Sequence, residues 1–184
     1  EYGKVQNTTN VTILNTVPVA TTPSITPSPA FTNTSVTAIS TYTDDDGTTG
    51  SLWFHWFVNA VLTFWEKVTV IPSGSGGSST LSKGNYSAPD NVTVQVTPND
   101  GTGNGTKVNN SIIITNSSSV IYSAFIKPNA SVYTDTALNV SFNVSDIDYH
   151  NRVNVFVKWF TNSVLNASYG CVVSNTPFVN ITKN

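Results

Sequence analysis

Apolar and polar residues alternate along most of this chain with a period of two, the pattern of strands that bury one face. Val36, Ala38 and Tyr42 do so within Ser35–Tyr42, and Val92, Val94 and Val96 within Asn91–Thr97. In Leu52–Leu62 the pattern places Phe54, Trp56 and Val58 on one face and Trp53, His55 and Phe57 on the other, with Asn59-Ala60 as the turn. Ile25–Phe31 is interrupted by Pro27 and Pro29 and reads as an edge strand. Val68–Val70 predicts a short strand and Lys107–Thr115 a last one, while Ser73–Ser79, a Gly/Ser run, predicts a flexible loop. Asp44–Gly47 and Pro98–Gly101 carry turn chemistry. Roughly seven short strands in about 95 residues, with a tryptophan on a central one, is the sandwich pattern.

The pattern occurs twice. Ile25-x-Pro27 returns as Ile126-x-Pro128, Phe31-Thr-Asn33 as Tyr133-Thr-Asp135, and Asp44-x-Asp46 as Asp146-x-Asp148. Trp56-Phe-x-Asn-x-Val-Leu62 returns as Trp159-Phe-x-Asn-x-Val-Leu165. A spacing near one hundred residues with one-residue slips is that of duplicated domains. A second, offset repeat links Lys4–Val19, KVQNTTNVTILNTVPV, with Lys107–Val120, KVNNSIIITNSSSV. The later copy is a last strand; the earlier one precedes everything. Val179–Asn184, VNITKN, matches Val94–Asn99, VQVTPN, so the second domain is expected to lack its last strand. The fold class expected is therefore all-β: two tandem Ig-like β-sandwich domains plus an amino-terminal donor strand. The boundaries are 1–20 for donor and linker, 21–117 for the first domain and 118–184 for the incomplete second.

That layout makes the chain's expected partners copies of itself, joined head to tail. Val5, Val11, Ile13, Val17 and Val19 are the candidate donor residues, and Trp159, Phe178, Val179 and Ile181 the candidate acceptors. Strand addition supplies main-chain hydrogen bonds for affinity and alternate side chains for register. The donor and acceptor differ, so the interface is heterologous and propagates.

Composition narrows the setting. Charged residues are 10% of the 184, with a formal net charge of -2, which leaves no basic patch for nucleic acid. No apolar run reaches membrane-spanning length, and no signal peptide is read. The single cysteine, Cys171, excludes an internal disulfide and reads as a small buried residue. Asn-x-Ser/Thr acceptors stand at Asn7, Asn10, Asn33, Asn85, Asn91, Asn104, Asn109, Asn116, Asn129, Asn139, Asn143, Asn166 and Asn180. That is about twice the chance number for such a composition and points to N-linked glycans on an extracellular surface.

Asp44–Gly47, Trp56–Leu62, Ser87–Val94 and Thr97–Thr106 together resemble the Ig-like/PKD-like repeats of archaeal and other microbial surface proteins. The layout is similar to that of archaeal thread-type filaments, and the resemblance implies a glycosylated extracellular fibre built by donor-strand complementation. Other chemistry is sparse. His55 and His150 have no triad or zinc spacing around them, so no enzyme and no cofactor is expected. Asp44, Asp45, Asp46, Asp146 and Asp148 are weak calcium candidates, since turns favour the same residues. Trp53, Phe57, Phe156 and Phe160 face away from the core tryptophans and are covered by a neighbour or form a sugar-binding platform. The alternatives are thus one period of a longer tandem-repeat adhesin or stalk, and a carbohydrate-binding module.

Overall fold

The computed structural model describes residues 10–148, 152–174 and 179–183, with side chains over 10–148 and 153–168. Every regular element among them is a strand, as expected. None is a helix long and apolar enough to cross a membrane. Contacts group the chain into two compact units, Glu1–Ile25, Thr37–Thr80 and Thr93–Ser111 in one, and Thr26–Val36, Leu81–Val92 and Ile112–Asn184 in the other.

The first repeat contributes two sheets. One has β1 (Val19–Ala20), β4 (Val36–Thr43) and β2 (Ser24–Thr26) in that order, with β7 (Gly76–Leu81) also on β4. The other runs β3 (Ala30–Phe31), β9 (Val108–Thr115), β8 (Asn91–Asn99), β5 (Gly50–Val58), β6 (Val61–Ile71). Alternation does what it predicts: Val36, Ala38 and Tyr42 of β4, Leu52, Phe54 and Trp56 of β5, and Val92, Val94 and Val96 of β8 are all buried. The proline-interrupted run splits into β2 and β3 on different sheets, because Pro27 and Pro29 have no N–H to continue a ladder.

Part of the expected loop at Ser73–Ser79 is strand instead, since Gly76 opens β7. Its first two inward positions, Gly77 and Ser79, are small because the space there is already filled, while Leu81 packs into the core. A Cβ on Gly77 would stand 2.9 Å from Ile71 Cδ1 and 3.1 Å from Leu52 Cδ1, and Ser79 lies under Trp56, accepting its indole N–H at 3.0 Å. The short strand at Val68–Val70 is part of the longer β6.

The second repeat forms a three-stranded sheet, β10 (Val120–Lys127), β11 (Leu138–Ser145) and β14 (Val179–Lys183), and a hairpin of β12 (Arg152–Thr161) and β13 (Val164–Ser174). This hairpin copies β5–β6 in detail. Asn59 and Ala60 turn the first with φ of 49° and 68°, and Asn162 and Ser163 the second with 49° and 66°, the left-handed pair of a type I′ turn. Both carry a bulge, between Trp56 and Phe57 and between Trp159 and Phe160. Likewise β10 meets β11 through Val120↔Ser145 and Ile121↔Val144, as β1 meets β4 through Val19↔Thr43 and Ala20↔Tyr42.

The match of Val179–Asn184 to Val94–Asn99 does not hold. Val179–Lys183 pairs with β11, with Asn139 opposite Thr182, and so takes the place of β7, whose Thr80 bonds Thr37 across β4 at 2.8 Å. A short alternating segment carries no mark of which sheet it joins. Among the described residues the second repeat therefore has no counterpart of β8 or β9, and β12 pairs with β13 alone.

Candidate assembly site

The amino-terminal segment is anchored at Asn15–Pro18, and the described residues before that, 10–14, are exposed. Residues 10–18 have no strand pairing, so of the described part of the strand expected at 4–19 only Val19 lies within a strand; residues 4–9, Val5 among them, lie outside the described residues. Val11, Ile13 and Val17 are exposed, Ile13 at 84%, and Val19 is exposed at the start of β1. The anchor is polar. Thr16 N–H donates to Asp46 Oδ2 at 2.6 Å, and Asn15 Nδ2 donates to Asp100 Oδ2 at 2.9 Å. Asp100 is held below the usual carboxylate range, first by that Asn15 bond and then by the N–H groups of Gly103 and Thr102. Buried Pro18 passes so close to Gly105 that a Cβ there would lie 1.8 Å from the Pro18 carbonyl oxygen.

The segment after β9 is anchored in the same way. Ser117 N–H donates to Asp148 Oδ2, also at 2.6 Å, and Asn116 Nδ2 reaches the Ser117 carbonyl as Asn15 Nδ2 reaches that of Thr16. This equates Thr16 with Ser117 and, three residues earlier in each copy, Ile13 with Ile114. Ile114 is only 1% exposed and lies beside Ala30 in the parallel β3–β9 pair. One isoleucine is packed as a last-strand residue; its counterpart is bare.

The second repeat has an uncovered apolar surface. Phe125, Ile126, Val132, Leu138 and Val140 line an open cavity of about 890 Å³. Their first-repeat counterparts include Ile25, Ala30, Val36 and Ala38, all buried, whereas Ile126 is 47% and Val132 42% exposed. Phe142, Val144, Val153 and Val155, partly joined by Val157, still form a small core. Trp159 is buried and its Nε1 has no partner among the described residues, while Trp56 Nε1 has Ser79; the residue in register with Ser79 is Ile181, which has no hydroxyl.

Of the expected acceptors, Trp159 is buried on β12, Phe178 lies outside the described residues, and Val179 and Ile181 are described only as β14 backbone paired with β11. The cavity residues were not singled out from sequence. Aligning Ile126, Val132, Leu138 and Val140 with Ile25, Ala30, Val36 and Ala38, and then asking what covers them, is the signal that finds them.

The aspartates are engaged by the protein itself. Asp44 accepts from Tyr42 Oη, Thr48 Oγ1 and the Asp46 N–H; the Thr48 bond does most to keep its pKa below the ordinary value. Asp148 accepts from Thr32 Oγ1 and Ser117 N–H, and Asp146 from Ser119 Oγ and the Asp148 N–H. Asp45 is exposed in the same turn. No group of three or more metal-ligating side chains occurs among the described residues.

Asn10, Asn33, Asn85, Asn91, Asn104, Asn109, Asn116, Asn129 and Asn166 are exposed, Asn139 and Asn143 half-buried on β11, and Asn7 and Asn180 beyond the described side chains. On the outer face of β5 and β6, Trp53 stacks on Trp65 at 5.6 Å and on His55 at 6.5 Å, and Lys67 Nζ stands 4.8 Å from the Trp53 ring. Trp53, His55, Phe57 and Lys107 help line a shallow cavity of about 560 Å³. Burial, then the charge of Lys107, lowers the His55 pKa. Phe156 and Phe160 are exposed on β12. His150 lies outside the described residues, as does the side chain of Cys171.

No family model matches the chain, and no curated protein does. The crystal structure of red sea bream transglutaminase is similar over 88% of this chain at 12% identity, with a TM-score of 0.41. The chain spans 26% of that protein's length.

Proposed function

We propose that the chain is a structural, non-catalytic unit of an extracellular glycosylated filament, in which the amino-terminal segment of one copy adds as a strand to the second repeat of its neighbour. The carrying observation is the pair of mismatched counterparts: Ile13 is bare where Ile114 is buried, and Val132 is uncovered where Ala30 is buried. In the assembly Ile13 fills beside Val132 the place that Ile114 fills beside Ala30. Burial of Val11, Ile13 and Val17 contributes on the order of 5–9 kcal/mol before ordering costs. The two-domain organisation at 21–117 and 118–184 goes with this reading, each sandwich but the last receiving its final strand from its own chain. Nine exposed acceptor asparagines support a glycan coat and a cell-surface setting.

The decisive experiment compares the chain with a deletion of Glu1 to Val17. Electron microscopy should show filaments from the first and isolated particles from the second; filaments of normal length from the deletion would sink the proposal. The same contacts serve covalently joined repeats of a stalk, a case in which denaturation in hot acid leaves one giant chain instead of a single small band.

A second reading rests on the stacked Trp53, Trp65 and His55, the outward aromatic surface a carbohydrate-binding module presents to sugar rings. Trp65→Ala would then abolish signals on a glycan array while leaving filaments intact.

A further inference from the structure

The chain contains one complete polar joint and the two separated halves of another. The complete joint is centred on Asp148. Its N–H is fixed by Asp146 Oδ1 at 2.9 Å, its Oδ2 receives the Ser117 N–H, and its Oδ1 receives the Thr32 hydroxyl. Thr32, Ser117 and Asp148 are all buried, and Thr32 Oγ1 also accepts the Ala88 N–H at 3.0 Å. Thr32 is presented by a tight turn, in which Phe31 N–H bonds Thr34 Oγ1 at 3.1 Å and Thr34 N–H bonds the Phe31 carbonyl at 3.0 Å.

Each part has a counterpart. Asp46 has its N–H fixed by Asp44 Oδ1 at 2.9 Å and its Oδ2 on the Thr16 N–H, the same two bonds in the same turn. Unlike Asp148 it is exposed, and its Oδ1 has no partner among the described residues. Thr134 sits in a copy of the Thr32 turn, with Tyr133 N–H to Thr136 Oγ1 at 3.2 Å and Thr136 N–H to the Tyr133 carbonyl at 3.1 Å. It too is exposed. Within the chain the bond runs from a threonine of the first repeat to an aspartate of the second. One step further along a filament, it runs from a threonine of the second repeat to an aspartate of the next copy's first.

We propose that Thr134 of one copy donates its hydroxyl to Asp46 Oδ1 of the copy whose amino-terminal segment it receives, forming between copies the joint that Thr32 and Asp148 form within one. This rests on the strand-addition reading and adds a second contact to it. The occupant of the Asp46 face is thus another copy of this chain, recognised by a hydroxyl on a tight turn. A hydrogen bond to a carboxylate that becomes buried on assembly makes copies register-specific as well as adherent.

The test uses assembled full-length chain. Thr134→Val keeps the shape and removes the donor; its filaments should release subunits about tenfold or more faster than those of the unaltered chain, and Thr134→Ser should restore the slow rate. Independently, Asp46→Cys with Thr134→Cys in a Cys171→Ser background should give, on oxidation, a ladder of covalent oligomers in a non-reducing denaturing gel. Filaments that yield no ladder and release subunits at the unaltered rate in Thr134→Val would overturn the joint while leaving strand addition standing. Failure of the unaltered chain to form filaments would instead remove the strand-addition reading, and the joint with it.

Discussion

Strands β4 and β11 occupy the same place in their repeats, and the difference between them is coverage. Val36 and Ala38 of β4 are fully buried; Leu138 and Val140, their counterparts on β11, are only half so. Further along, Tyr42, Phe142 and Val144 are buried alike. The second repeat is therefore not a loose version of the first. It is packed at one end and open at the other, where β8 and β9 close the first and no described strand closes the second. An apolar surface left in that state is a docking surface or a hazard.

The strongest way to break this comparison is to place a charge at each position. Ala38→Asp should cost about 3–5 kcal/mol of stability, because the carboxylate is buried without a partner. Val140→Asp should cost the isolated chain no more than about 1 kcal/mol, since solvent reaches the site, yet should stop assembly. Denaturant melts of the two variants check the first point and electron microscopy the second; equal destabilisation would erase the distinction between the repeats.

Gly105→Ala comes next. Its Cβ would collide with the Pro18 carbonyl, so the anchored segment should be displaced at a cost of about 2–4 kcal/mol, seen as faster hydrogen exchange at Val19 and Ala20. Ser79→Ala should cost about 1–3 kcal/mol by leaving Trp56 Nε1 unpartnered, which reproduces in the first repeat the state of Trp159 in the second. Thermal unfolding measures that loss.

The smallest effect is acid release. The pKa values of Asp44 and Asp100 are lowered by folding, so their contribution is complete above the ordinary carboxylate pKa and is lost as pH falls through the lower folded values. The protection factor of amides beside the Asn15 anchor, corrected for the intrinsic pH dependence of exchange, should fall on acidification in this range, and Asp100→Asn should flatten that response.

Much of this was legible in the residues. Alternation located β4, β5, β8 and β9, and the repeated Trp-Phe-x-Asn-x-Val-Leu run located two hairpins whose turns and bulges coincide. What resisted was information held by neighbours. Gly77 and Ser79 suit a strand only because Trp56, Ile71 and Leu52 crowd them, so composition alone reads a loop. Val179–Lys183 alternates well on either sheet, and its pairing with β11 decides between them. The cavity residues are unremarkable apolar strand positions until the cover over their counterparts is seen. Thr32 and Thr134 are aligned by the repeat of Phe31-Thr-Asn33 as Tyr133-Thr-Asp135, but only their shared turn and the Thr32 bond to Asp148 give that alignment a meaning.

The anchorage of Thr16 to Ala20 also has a mechanical meaning. Within five residues the chain bonds Asp46, passes beneath Gly105 and pairs with Thr43 and Tyr42. A pull on the amino-terminal segment thus reaches the sheet of β1 and β4 through this short splice. In the proposed filament, tension would enter each unit through these few contacts and load them first.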